Sequence, residues 1–302
     1  MRAIISGGTG LIGRALAASL VADGYDVALL SRRPAAAHNL PPGARAVQWD
    51  GHSAAGWGHM ADGADVIINL AGENLSAGRW TAQRKQRILQ SRIHAGHAVV
   101  EAIGAATNKP AVVIQASGIG HYGLHTDDIV TEANAPGNDF GAQVTLAWEE
   151  ATQAVERLGV RRVIVRMAPV FSTSGGVLPR LMLPFRFFVG GKIGSGKQWF
   201  SWVHIADCVG AIRFLMANTQ AQGAYNLCAP GPLTNAAFSA VLGRVMHRPS
   251  LMTAPAFALR LVFGEMATIL LEGQRGFPKR LLDMGYSFRF PDAEAALTDL
   301  LH

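Results

Sequence analysis

Cysteine is nearly absent from this chain. Only Cys208 and Cys228 occur in 302 residues, far apart and without histidines at metal-ligand spacing. That pattern speaks against a zinc site and for a reducing compartment, so a cytoplasmic location is expected. Long runs of lysine and arginine are missing too, despite a net charge of +6. No nucleic-acid motif accompanies the scattered bases, which excludes DNA or RNA as the expected partner. The most apolar late stretch, residues 254–271, is interrupted by Arg260 and Glu265. It reads as a packed helix, and no membrane partner is expected. No leader is expected, because the fold pattern begins at Arg2. Charged residues make up 16% and apolar residues 49%. Such a chain has ample core and no mark of disorder, and its length suits one large α/β domain with a smaller lobe.

What is present begins at once. Ala3 to Ile5 is a short apolar run that predicts a buried first strand. Gly7, Gly10 and Gly13 follow at the spacing G-x-x-G-x-x-G, and an amphipathic helix is predicted over 11–21. Gly7 permits a tight turn, Gly10 lets backbone approach a phosphate, and Gly13 lets the helix pack on the strand. The helix N-terminus then faces a pyrophosphate with free N–H groups.

The second predicted strand, residues 26–30, ends at Ser31, Arg32 and Arg33. A site for NAD usually carries an acid there, bound to the ribose 2′-hydroxyl. A guanidinium fork suits a 2′-phosphate instead, so NADP is the expected cofactor. Further strands are predicted at 46–49, 65–70, 111–117 and 162–166, alternating with helices over 81–107 and 143–158. This alternation implies a doubly wound α/β fold, Rossmann-like, with a parallel sheet. Ligands bind at the carboxyl ends of such strands. Those ends hold residues 7–12, 31–33, 70–72, 117–122 and 168–171.

The chain resembles the extended short-chain dehydrogenase/reductases. The segments that carry the likeness are GGTGLIG at 7–13, NLAG at 69–72 and ASGIGHYG at 116–123. It is more closely similar to an atypical subgroup often called the epimerase family, some of whose members are labelled cell-division inhibitor homologues. That match rests on NLAGEN at 69–74, SR at 91–92, RMAPVFSTSGG at 166–176 and LPFRFFVGGKIGSGKQWFSWVHIAD at 183–207. YNLCAPGPLTN at 225–235, HRP at 247–249 and EGQRGFPKRLLDMGYSF at 272–288 extend it over essentially the whole chain. The resemblance implies that Gly7, Thr9, Gly10, Leu11 and Ile12 cradle the pyrophosphate and that Ser31 and Arg32 hold the 2′-phosphate. It implies Leu70 and Ala71 beside the adenine-side ribose, Arg92 reaching back from the long helix, and Val170 at the nicotinamide end.

The catalytic pattern departs from the family. Active members of the superfamily carry a Tyr and a Lys four residues apart on the helix after the fifth strand, where the amine lowers the phenol's pKa. The four tyrosines here, Tyr25, Tyr122, Tyr225 and Tyr286, are followed four residues on by Leu29, Thr126, Ala229 and Phe290. The expected pair falls near Gly141 and Thr145. Ser117 and Tyr122 are the catalytic candidates instead, with His121, His204 and Glu73 behind them. Asp207 is expected to cap or pair within its own helix. Two functions stay open: an oxidoreductase or epimerase with altered acid–base groups, and a catalytically silent NADP(H)-binding sensor or interaction protein, with a link to cell division.

Domain 1–170 is expected to bind the cofactor, with 203–216 returning to it. Residues 171–302 are read mainly as a substrate lobe and lid. Gly190 to Lys197 is glycine-rich and basic, followed by Trp199, Phe200 and Trp202. It suits a small anionic substrate and does not match a P-loop, since Gln198 follows Lys197. Pro184 to Phe188 reads as core helix. Phe257, Leu261, Phe263, Met266, Ile269 and Leu270 are expected to hold the lobe together through one apolar face. A monomer or homodimer is expected.

Overall fold

The computed structural model describes residues 1–123 and 127–302. Seven strands make the central sheet: β1 (Arg2–Ser6), β2 (Asp26–Ser31), β3 (Ala44–Gln48), β4 (Val66–Asn69), β5 (Val112–Gly118), β6 (Arg161–Met167) and β7 (Gly223–Leu227). Their order is β7-β6-β5-β4-β1-β2-β3, all parallel, with Ile4 opposite Ala28 on one side and Ile67 on the other. The sheet reverses direction of growth beside β1, which opens a crevice at its carboxyl end for a ligand.

Alternation along these strands sorts the side chains into two cores. Ile5, Leu29, Ile68 and Ile114 face α1 (Leu11–Ala22), where they meet Leu16 and Leu20. Ile4, Ala28, Ile67 and Val113 face α2 (Ala82–Ala105), where they meet Ala95, Val99 and Ile103. Each fully buried aliphatic side chain contributes about 1.5–3 kcal/mol of transfer free energy, so the layers hold the strand ends firmly. Thr81 starts α2 by accepting the Arg84 N–H. Its buried stripe runs Ile88, Arg92, Ala95, Val99, Ala102, at steps of four and three. Ile93, next to Arg92, lies off this stripe and is only half-buried. The predicted helix over 143–158 is α3 (Phe140–Glu150), capped by Asp139, then a turn and a short helix, Ala154–Arg157.

The chain leaves the sheet after β6 and enters the lobe through Val170–Phe171, which pairs with Val203–His204. Leu178–Arg186 forms α4. The return to the sheet is longer than the predicted 203–216. Helix α5 (Ile205–Ala217) packs on α1, and β7 then joins the sheet beside β6. The lobe holds α6 (Asn235–Val245), α7 (Ala256–Phe263) and α8 (Ala293–Leu301).

Two expectations hold only in part in the lobe: of the predicted apolar face Met266 is buried and Phe263 and Leu270 are half-buried, but the rest is not covered. The lobe core is Phe171 stacked on Trp202 at 5.2 Å, with Phe238, Phe185, Leu242, Phe290 and Leu297 around them. No residue of α7 is buried, and Phe257, Leu261 and Ile269 lie exposed. The aromatic cluster that forms the lobe core includes no residue of α7, whose Ala256, Leu259 and Phe263 are only half-buried. Likewise Phe185 is core, but Phe187 and Phe188 stand past the end of α4 in solvent.

Candidate functional site

The turn between β1 and α1 is built by glycine where only glycine fits. Gly7 has φ +67°, and a Cβ there would lie 2.9 Å from the Leu70 carbonyl carbon. A Cβ on Gly13 would lie 2.5 Å from the Gly8 Cα, so the helix rests on the turn. Gly10 N–H bonds to the Gly7 carbonyl at 3.0 Å, and the first helical bond runs from Arg14 to Gly10. Gly10 caps α1 without a side chain. The amides of Leu11 and Ile12 therefore point out of the helix toward the crevice, with the positive end of its dipole. The turn packs on the end of β4: Leu70 N–H bonds the Ser6 carbonyl at 3.1 Å, and Ala71 N–H bonds the Ser6 hydroxyl at 3.3 Å.

The loop after Val170 closes over this turn. A Cβ on Gly176 would lie 3.1 Å from both the Leu11 side chain and the Val170 carbonyl. Gly7, Thr9, Gly10, Leu11, Ile12, Leu70, Ala71 and Val170 thus share one region. Ser31 and Arg32 stand at the neighbouring strand end. The Ser31 hydroxyl accepts the Arg33 N–H at 3.2 Å. Arg32 runs past Gly51, whose Cβ would lie 3.3 Å from the Arg32 Cδ. Gly51 belongs to a tight turn around Asp50. Burial pushes the Asp50 carboxyl up, but the Ser53 hydroxyl and the His52 and Ser53 amides override it and hold it at about 2. Among the described residues, Arg32 makes no ion pair with an acid.

Arg92 lies behind Gly72, where a Cβ would meet its Cζ at 2.9 Å. It is buried, stacks 4.6 Å over Trp148, and donates to the Glu73 and Ile88 carbonyls. Its Nε has no partner among the described residues. Burial brings its pKa down to about 10, with the Glu73 charge opposing. Glu73 itself pairs with Arg84 at 3.3 Å and Arg87 at 3.6 Å, so it is a brace for the loop after β4. The phosphate turn, the unpaired Arg32 and the orphaned Arg92 nitrogen all fit a dinucleotide with a further anionic group.

The catalytic candidates are held differently. Ser117 and Tyr122 are both buried and joined through residues that sequence reasoning missed. The Ser117 hydroxyl donates to Glu149 at 2.6 Å. Arg166 clamps the same carboxylate with two bonds of 2.9 Å. Arg166 also donates to the Tyr122 hydroxyl at 3.0 Å, and that hydroxyl donates to Asn226 at 2.6 Å. Burial pushes the Tyr122 phenol up to about 12, against the pull of Arg166. His121 Nδ1 stands 3.4 Å from Glu149 without a hydrogen bond, and burial lowers its pKa. Glu149 on an otherwise apolar helix face and Arg166 inside a strand run were the available signals.

Gly141 and Thr145 occupy the first turns of α3, and Thr145 spends its hydroxyl on the Gly141 and Ala142 carbonyls. His204 caps α5, accepting the Ala206 N–H at 3.1 Å and leaning on Phe290. Asp207 does not serve its own helix. Its carboxylate accepts the Arg289 and Phe290 amides at 2.8 Å and pins the C-terminal segment.

Sheet order, phosphate turn and crevice define a dinucleotide-binding protein of the extended short-chain dehydrogenase/reductase type. The chain belongs to the NAD-dependent epimerase/dehydratase family, which it matches over residues 3–228. Residues 254–300 match a domain of unknown function, DUF1731. An epimerase family protein of Staphylococcus aureus is 35% identical over 300 residues, covering 99% of this chain and 98% of that one. One from Staphylococcus saprophyticus is 37% identical, with 99% of each chain covered. The human epimerase family protein SDR39U1, solved with NADPH, superposes with a TM-score of 0.87 at 32% identity over 99% of both chains.

Proposed function

We propose that this chain binds NADP(H), with the turn at Gly7 to Ile12 on the pyrophosphate and Arg32 on the adenosine 2′-phosphate. Arg32 carries the reading: a guanidinium without an acid partner at the end of β2, where a 2′-hydroxyl site would need a carboxylate. The NADPH in the human relative supports it. Calorimetric titration tests it. NADPH binds more tightly than NADH, and Arg32→Ala removes about 1.5–3 kcal/mol of that preference. Equal affinities in the unmodified protein refute the assignment.

When bound, the nicotinamide supplies or accepts hydride. The chain's own residues offer no phenol–amine relay, since Gly141 and Thr145 stand in its place. The Ser117 hydroxyl is spent on Glu149, and Tyr122 is sealed below the cleft. A hollow of ≈ 50 Å³ lies beside Pro169, lined by Val177, Leu181, Gln198, Phe200 and Asn235. Gln198 donates to the Ile193 and Leu270 carbonyls at 3.0 Å, and its buried Oε1 is unpaired. That oxygen is set to accept one N–H or O–H from a ligand. Lys192 and Lys197 are exposed and do not line the hollow. We read the protein as an oxidoreductase for a small substrate that offers one donor group to Gln198, its proton drawn from a group outside the usual pair.

The second reading, a silent NADP(H) sensor, is favoured by the locking of Ser117 and Tyr122 into the buried network. Oxidation of NADPH across small aldehydes, ketones and sugar nucleotides separates the two. Turnover of any of them selects the enzyme. Tight NADPH binding with no turnover on any of them selects the sensor.

A further inference from the structure

The outer wall of the lobe is apolar and uncovered. Phe187 and Phe188 leave the end of α4 at 70% and 61% exposure, and Leu251 is 87% exposed. Pairing of Gly191 with Met252, and of the Met252 N–H with the Gly190 carbonyl, sets the two segments side by side. Helix α7 follows directly and shows Phe257 and Leu261 at 76% and 75%.

Phe188 is held outward by the backbone. Its φ is +61°, in the left-handed region. Its N–H returns to the Phe185 carbonyl, and the Val189 N–H returns to that of Pro184. Glycine normally closes a helix this way, because a Cβ is disfavoured there. A phenylalanine accepts that strain without gaining burial, and Arg248 stacks over its ring at 4.6 Å.

The charge around this wall has one sign. From residue 157 to 264 the only acid is Asp207, which is buried and bonded to the Arg289 and Phe290 amides. Arg186, Lys192, Arg248 and Arg260 stand in the same span without an acid partner among the described residues. Arg244 is paired to Glu294, and Glu265 of the next turn is paired to Lys85.

We propose that this face docks on an anionic lipid surface, with the Phe187–Phe188 tip, Leu251 and α7 among the acyl chains and the bases at the head groups. Exposed aromatics and aliphatics ringed by arginine are what an interfacial anchor needs. A second copy fits poorly, because two cationic rims would meet. Nucleic acid fits poorly too, because the three exposed rings are outnumbered by Leu183, Leu251, Met252, Leu261 and Val262, which offer bases nothing to stack on. No helix among the described residues is long and apolar enough to cross a membrane, and docking needs none.

Vesicle flotation of the purified full chain tests this. Vesicles of phosphatidylcholine are compared with vesicles in which one lipid in three is phosphatidylglycerol, at low and high salt. The protein floats with the anionic vesicles, stays behind with the neutral ones, and is released by salt. Phe187→Ser with Phe188→Gly lowers the bound fraction about tenfold. The thermal midpoint holds, because glycine suits the backbone at 188. Charge reversal by Arg186→Glu with Arg260→Glu, both exposed, weakens flotation independently. Failure of the unmodified chain to float with anionic vesicles at low salt overturns the proposal. So does flotation of both variants at the unmodified level. A dimer split by the Phe187/Phe188 variant, or single-stranded oligonucleotide binding lost in it, overturns it when flotation is absent.

Discussion

Arg166→Met removes the guanidinium that clamps Glu149 under the strand ends. Both partners are buried, and the carboxylate loses two bonds of 2.9 Å while keeping only the Ser117 hydroxyl at 2.6 Å. Breaking a buried pair from one side costs about 3–5 kcal/mol, because a charge is left without compensation. The pH dependence carries the sharper signature. In the unmodified protein burial pushes Glu149 up, but Arg166 and Ser117 overcome it and hold the carboxyl below its ordinary 4.5. A carboxylate lowered on folding contributes stability in full above about 4.5, and loses it as pH falls through the lower folded value. Without Arg166 burial wins and the folded value rises above the unfolded one. The variant then loses stability as pH rises through the interval above 4.5, where the folded carboxyl must ionise. Urea unfolding at pH 7 and pH 5 measures both effects, with a gap to the unmodified protein that narrows on acidification. The double variant Arg166→Met with Glu149→Gln removes the stranded charge and recovers most of the loss. A deficit below about 1 kcal/mol at pH 7, or one equal at both pH values, refutes the ion-pair account.

Gly7→Ala forces a Cβ to 2.9 Å from the Leu70 carbonyl at φ +67°, so denaturant unfolding shows a loss of about 1–3 kcal/mol and calorimetry a loss of NADPH binding. Tyr122→Phe strands the Asn226 oxygen and one Arg166 nitrogen, for a cost of about 1–3 kcal/mol in unfolding. NADPH affinity stays unchanged in that variant, and a loss of affinity without a loss of stability would place Tyr122 in the cleft after all. Hydrogen exchange in residues 190–197 exceeds that of Ile4 and Ile67 without cofactor and slows when NADPH is added. Equally slow exchange without cofactor makes that loop part of a rigid core.

Much of the large domain is legible in the chain, because its signals are local. A parallel strand buried on both faces must be an apolar run, and Ala3–Ile5 and Val66–Ile68 are such runs. The phosphate turn is legible for the same reason: φ at Gly7 and the close approaches at Gly7 and Gly13 are demands on single residues. The absence of a phenol and an amine at 141 and 145 also needs no coordinates. Their positions follow from counting back along α3 from Trp148 and Glu149.

What depends on partners distant in the chain is not legible. Ser117 looks like a free strand-end hydroxyl until β5, β6 and α3 bring Glu149 and Arg166 against it. Arg92 looks like a surface charge until the helix stripe turns it under Gly72 and Trp148. Asp207 looks like a helix residue until the C-terminal segment arrives to use it. Apolar periodicity in α7 predicts a face and not an occupant, and the lobe core around Phe171 and Trp202 is built without it. From the chain alone come six of the seven sheet strands, the phosphate turn and the missing relay, each set by the conformational and burial needs of neighbouring residues. Which polar groups are spent on each other, and which apolar face stays uncovered, is set by the three-dimensional packing, because those depend on what long-range contacts bring within a hydrogen bond's reach.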